Sequence, residues 1–194
     1  MGIALESAGK TDVGLVREKN EDSMLLEPAY GLYVVCDGMG GHVGGQVASQ
    51  LSAATISECV RTKNPAPGAD EPDQLVTAIR AANAAVFGKA RAEPALHNMG
   101  TTVVALRGEG NFVHVCHVGD SRIYRLRQGN FEQITRDHSL VNLYEENPEL
   151  AVRFGPPNSN VIVRAVGLRD VVEVDHRKIS VEAGDIFLLC CDGL

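Results

Sequence analysis

Three short apolar runs in this chain end in an aspartate beside a glycine, and that repeated ending constrains it more than any other feature. Val34-Val35-Cys36 leads into Asp37-Gly38, Val115-Cys116-His117-Val118 into Gly119-Asp120, and Leu188-Leu189-Cys190-Cys191 into Asp192-Gly193. Runs of this length, rich in Val and Leu, read as buried strands. Each places a carboxylate at the mouth of a strand, next to a glycine that lets backbone approach closely. One Asp-Gly is a turn signal; three at strand ends are harder to assign to turns alone. Carboxylates crowded together repel, and they stay ionised only with a cation among them. All-oxygen ligands select a hard ion, Mg²⁺ or Mn²⁺, over Zn²⁺. None of the six histidines (His42, His97, His114, His117, His138 and His176) forms H-E-x-x-H or an equivalent zinc pair. Two hard ions bridged by one carboxylate lie ~3.5–4 Å apart and share a water whose pKa falls towards neutrality.

The remaining patterning gives the fold class. Strands are predicted over Leu32–Cys36, Thr101–Leu106, Phe112–Val118, Ile123–Leu126, Val161–Val163 and Ile186–Cys191, bounded by Gly, Asn and Asp. Hairpins are predicted at Arg107–Asn111 and at Gln128–Asn130. Val47, Leu51 and Ala54 at i, i+4, i+7 predict one helix; Leu75, Ile79, Ala82 and Val86 predict another. Thr62–Pro72, with three prolines, reads as a loop between them, and Ser139–Asn160 as a short helix mixed with a mobile loop. Strand, helix pair, then a run of strands is not the alternation of a doubly wound parallel sheet. It argues for an α+β fold with antiparallel sheets.

Composition narrows the function classes. With 44% hydrophobic residues the chain can bury a sizeable core. The net charge of −7 and the lack of a Lys/Arg block argue against nucleic acid or an anionic membrane as partner. No apolar run approaches the ~18 residues of a membrane-spanning helix, and residues 1–10 carry no basic, apolar leader. Five cysteines, an odd number without C-x-x-C, argue against a disulfide framework and for a reducing, cytoplasmic setting. An acidic protein acting on a phosphate needs local positive charge. Arg17, followed by Glu18-Lys19-Asn20-Glu21-Asp22, is the candidate clamp, since a guanidinium binds phosphate through paired hydrogen bonds. The plainer reading pairs Arg17 with Glu21 on the surface.

Six segments, in order, resemble the metal-dependent protein phosphatases (PPM, type 2C), in their bacterial serine/threonine form. They are Thr11-Asp12-Val13-Gly14 through Arg17 to Asn20-Glu21-Asp22; Val35-Cys36-Asp37-Gly38-Met39-Gly40-Gly41-His42; Gly100-Thr101-Thr102; His117-Val118-Gly119-Asp120-Ser121-Arg122; Thr135-Arg136-Asp137-His138-Ser139; and Cys191-Asp192-Gly193-Leu194. The resemblance implies two antiparallel β-sheets packed as a sandwich flanked by helices. It also implies hydrolysis of phosphoserine and phosphothreonine in proteins, the substrates of a serine/threonine kinase. Asp37 would bridge two Mn²⁺ or Mg²⁺ ions, the Gly38 carbonyl would ligate one, and Asp192 would complete the second site. Asp120 would serve a third, weaker ion with Asp192, and Glu21 and Asp22 would hold waters of hydration. Arg17 would bind the phosphate, His42 would be the acid for the leaving oxygen, and Ser139–Asn160 would be a flap touching protein substrates.

Residues 1–194 then read as a single catalytic domain, incomplete at its C-terminus. The chain stops at Leu194, straight after an apolar strand with nothing to cover it, and the family's later Asp-Asn segment does not occur. A second departure is Cys191, where the family has a small polar residue. The rival readings are a non-catalytic module on the same fold that binds phosphoproteins, and a fragment inactive for want of its C-terminal metal ligand; the module calls for lost metal carboxylates, and Asp37, Asp120 and Asp192 are all present. Other phosphoryl chemistries lack their marks: Met39 stands where an aspartyl-phosphate enzyme needs its second Asp, and there is no P-loop. His114 and His117 lie on opposite faces of one strand, so one is expected to be packed or hydrogen-bonded; His138 is expected to brace a loop.

Overall fold

The computed structural model describes residues 5–41, 43–62, 74–158 and 161–194; His42, most of the Thr62–Pro72 loop and the end of the Ser139–Asn160 segment lie outside them. The elements, in chain order, are β1 (Asp22–Glu27), β2 (Leu32–Met39), α1 (Gly44–Thr62), α2 (Gln74–Ala92), β3 (Gly100–Thr101), β4 (Val103–Glu109), β5 (Phe112–Val118), β6 (Arg122–Arg127), β7 (Asn130–Gln133), α3 (Leu140–Glu146), α4 (Glu149–Phe154), β8 (Asp175–Ser180) and β9 (Ile186–Cys190). They build two antiparallel sheets. One has the order β1-β2-β4-β5-β8, with β3 added to β2; the other has the order β7-β6-β9.

Alternation along the strands divides the core into two layers. In β2, Leu32, Val34 and Cys36 are buried under the helices, while Tyr33 and Val35 face the smaller sheet. In β5, Cys116 and Val118 face the helices, while Val113 and Val115 face the smaller sheet. The helix layer is closed by Ala48, Ile56 and Val60 of α1 and by Leu75, Ile79, Ala82 and Val86 of α2. Between the sheets lie Val104, Leu106, Val113, Val115, Ile123 and Ile134, with Phe187 and Leu189 of β9 against them. This is the expected α+β sandwich.

Four details differ from the strand expectations, each for a local reason. The run Thr101–Leu106 is divided at Thr102, whose N–H turns aside to the Asp37 carbonyl at 2.8 Å. Val161–Val163 forms no strand; only an isolated bridge joins Ile162 to Ser139. β8 was not predicted because an edge strand needs few apolar residues, and Asp-His-Arg-Lys-Ile-Ser places only Ile179 against the core. β1 begins inside the acidic motif, so its polar start hides the strand. Both predicted hairpins form, joining β4 to β5 and β6 to β7, and Ser139–Asn160 contains α3 and α4.

Candidate metal centre

Four aspartates from four places in the chain meet at one end of the sandwich. Asp22 and Asp37 are direct cross-strand partners on β1 and β2. Asp120 follows β5, in the larger sheet, and Asp192 follows β9, in the smaller one. The Asp37 and Asp192 carboxyls are within hydrogen-bonding reach of each other. Burial, then the charges of Asp22, Asp192 and Asp120, push the Asp37 carboxyl up to about 8. Asp120 is raised as well, first by burial and then by Asp192. Among the described residues none of the four forms an ion pair with a lysine or arginine; the nearby Arg122 is engaged by Asp137 through contacts of 2.7–3.1 Å. Crowded oxygen acceptors without a side-chain counterion are a donor set for hard divalent cations, and these residues fit such ions.

Backbone contacts hold the carboxylates in place. The Asp37 carbonyl accepts from the Thr102 N–H and from Thr101 Oγ1, both at 2.8 Å, and the Asp37 N–H donates to Thr102 Oγ1 at 3.1 Å. Thr102 Oγ1 also meets Ser121 Oγ at 2.6 Å, tying β2 to the turn that carries Asp120. That turn is fixed a second time: the Gly119 N–H donates to His138 Nδ1 at 3.0 Å, and the His138 N–H donates to the Gly119 carbonyl at 2.9 Å. Gly119 has φ +104°, and a Cβ there would come within 2.7 Å of Thr102 Cγ2, so only glycine fits. Gly38 is equally confined, since a Cβ would lie 2.1 Å from the Gly45 carbonyl. Glu21 reaches the first turn of α1, close to Gly45, and its carbonyl accepts from Ser49 Oγ at 2.6 Å. The Asn20 side chain caps the Asp22 N–H at 2.9 Å.

Arg17 is exposed and lines the same open groove as Glu21, Asp22, Asp37, Gly38 and Asp192. It makes no ion pair among the described residues, so the surface pairing with Glu21 does not form. His42 lies outside the described residues. Cys191, the departure from the family pattern, is half-buried, and its Sγ points at Asp22 Oδ2, 3.4 Å away. Burial and the neighbouring carboxylates push that thiol up to about 11.

A second group of ligand atoms, from His117, His138 and Asp175, also lies within 4.8 Å of one another. Its cation is already present as Arg164, which contacts Asp175 Oδ1 at 2.5 Å and His138 Nε2 at 3.0 Å. Burial lowers the pKa of both histidines, His138 to about 4, and the His117 Nε2 bonds the Arg136 carbonyl at 2.7 Å. Both rings are structural, with His138 bracing the loop as expected.

The sequence profile of the family described as Protein phosphatase 2C matches residues 17–194. The chain belongs to the protein phosphatase 2C family. This phosphatase 2C chain is 40% identical over 196 residues to the serine/threonine protein phosphatase PstP of Mycobacterium tuberculosis, covering 99% of the chain and 37% of that protein. It thus spans little more than a third of that relative. The crystal structure of the Mycobacterium tuberculosis serine/threonine phosphatase PstP/Ppp superposes with a TM-score of 0.81 at 40% identity, covering 95% of this chain and 77% of that one. The catalytic domain of PstP in complex with two manganese ions superposes with a TM-score of 0.77 at 39% identity, covering 95% and 76%. Within the phosphatase 2C frame, Thr101, Thr102 and Ser121 stood in the quoted motifs without a role. The signal for Thr101 and Thr102 was a pair of adjacent hydroxyl residues heading an apolar run; the structure makes them the clamp on Asp37, with Ser121 bonded to Thr102.

Proposed function

We propose that the protein bearing this chain hydrolyses phosphoserine and phosphothreonine in proteins, using two divalent cations held around Asp37. The observation that carries this reading is the Asp37 carboxyl, surrounded by three other aspartates that form no ion pair with a lysine or arginine among the described residues, on an open groove that Arg17 also lines. The two-manganese complex of the related PstP domain supports it. Asp37 would hold both ions, the Gly38 carbonyl would be a ligand of one, and Asp192 would be a ligand of the other. Asp120 and Asp192 serve a third, weaker site, and Glu21 and Asp22 orient waters of hydration. Bound there, such cations would supply positive charge for the phosphate and a water of lowered pKa.

The chain's own residues do the rest. Arg17, on a flexible exposed stem, draws the phosphate into the groove through its forked N–H donors. The clamp of Thr101, Thr102 and Ser121 keeps Asp37 and Asp120 at a set spacing, so reacting groups meet without a search. Substrates are phosphoproteins made by a serine/threonine kinase. No disulfide joins cysteines among the described residues, which supports a reducing cytoplasmic setting. Mn²⁺ and Mg²⁺ both suit the donor set. A phosphothreonine peptide incubated with the protein and Mn²⁺ is expected to release inorganic phosphate, and EDTA to stop it. Release that is indifferent to EDTA would sink the proposal.

A further inference from the structure

Cys191 adds a sulfur to an oxygen cage. Its Sγ lies within 4.8 Å of a carboxylate oxygen of Asp22 and of one of Asp37, all three atoms mutually within that distance. The thiol is aimed into the cluster, since it hydrogen-bonds Asp22 Oδ2 at 3.4 Å. Its neighbour Cys190 is the last residue of β9 and sits in register opposite Arg122, away from the two carboxylates. A sulfur and two carboxylate oxygens, open to the groove on the remaining side, match the mixed tetrahedral donor set of Zn²⁺-class ions, which take Cys sulfur and Asp oxygen with a water in the fourth place. Hard ions leave the sulfur aside, because Mn²⁺ and Mg²⁺ prefer oxygen.

We infer that the centre of this chain has a second, thiophilic mode, in which Cys191 joins Asp22 and Asp37 in binding Zn²⁺, Cd²⁺ or Co²⁺ in competition with the Mn²⁺ or Mg²⁺ of the hydrolytic mode. The inference rests on the reading of the acidic cluster as a cation site and adds a ligand that the family pattern does not contain. In the exchange the S–H bond breaks, a sulfur–metal bond forms, the proton goes to solvent, and no electron moves. With Asp22 and Asp37 engaged beside the sulfur, they would no longer be free to hold the hard ions of the hydrolytic mode. A trace of a Zn²⁺-class ion is therefore an inhibitor of this protein, set by its Cys191.

Cobalt makes the sulfur bond visible. Titrating the protein with Co²⁺ is expected to produce a thiolate-to-cobalt charge-transfer band in the near ultraviolet. The band should be absent in Cys191→Ser and retained in Cys190→Ser. Displacement of Mn²⁺, followed by the return of its free-ion paramagnetic resonance signal, should need about 10- to 100-fold more Zn²⁺ in Cys191→Ser than in the wild type. Co²⁺ binding to the wild type without the band, or a band that survives in Cys191→Ser, overturns the inference while leaving the hard-cation centre standing. Failure of the wild type to bind either Mn²⁺ or Co²⁺ has a different signature, a flat titration for both ions, and overturns the centre together with its sulfur.

Discussion

At the residue scale the decisive group is Asp37. Its carboxyl is held at about 8 in the folded chain against an ordinary 3.8. The folded state thus keeps a proton that the unfolded chain has already released. The stability linked to that proton is complete below pH 3.8, declines as pH rises, and is gone above about pH 8. Metal-free protein should accordingly melt at progressively lower temperature across that window. Asp37→Asn should flatten the profile and, above pH ~8, melt higher than the metal-free wild type; a variant that tracks the wild type at every pH would remove Asp37 from the cluster. The same variant should lose turnover by about a hundredfold or more, because it removes charge stabilisation built for the reaction. Arg17 acts differently. It is exposed and makes no ion pair among the described residues, so Arg17→Ala should raise KM more than it lowers kcat, the mark of uniform phosphate binding. Initial-rate kinetics that show a collapse of kcat at constant KM would place Arg17 in the transition state instead.

At the scale of elements, the site depends on short hydrogen bonds between segments that are distant in sequence. Thr102 serves three of them, to Asp37 N–H, to the Asp37 carbonyl and to Ser121. Thr102→Val keeps the shape but leaves the buried Asp37 N–H and Ser121 hydroxyl without that partner. A cost of about 1–3 kcal/mol is expected in urea unfolding, together with roughly tenfold weaker Mn²⁺ binding by calorimetry. Unchanged Mn²⁺ affinity would mean that the clamp does not set the aspartate spacing. The elements themselves were unevenly legible. The two helices and β5 followed from periodicity, because a buried face imposes its repeat on the sequence. β8 and β1 did not, because one lies at a sheet edge and the other begins among acidic site residues, where the local composition answers to function and exposure.

At the scale of the whole molecule, the centre is built from both sheets. Asp22, Asp37 and Asp120 belong to the larger sheet and Asp192 to the end of β9 in the smaller one. The interlayer core therefore fixes the spacing of the carboxylates. Ile123, fully buried between the sheets, is a direct test: Ile123→Ala should cost about 2–5 kcal/mol and weaken Mn²⁺ binding by loosening the interlayer core. Cations joining the two sheets should in turn stabilise the fold, by ~2.7 kcal/mol at a hundred times their dissociation constant. Thermal melts with and without Mn²⁺ measure this; a shift of the same size in Asp37→Asn would show that the ion binds elsewhere.

The amino-acid order alone was enough to give the α+β class and the family resemblance, and it singled out the carboxylates, the glycines beside them and the arginine as candidates. These are properties of residue type and spacing, and a strand that ends in Asp-Gly shows both without reference to the rest of the chain. It did not reveal that Arg17 stands free of Glu21, that Thr102 and Ser121 lock the aspartate turns, or that Cys191 aims its sulfur at Asp22. Those facts depend on the packing of one sheet against the other and on which face of each strand turns inward. Residues as far apart as Asp22 and Cys191 become neighbours only when the two sheets close, so the tertiary structure alone decides their contact.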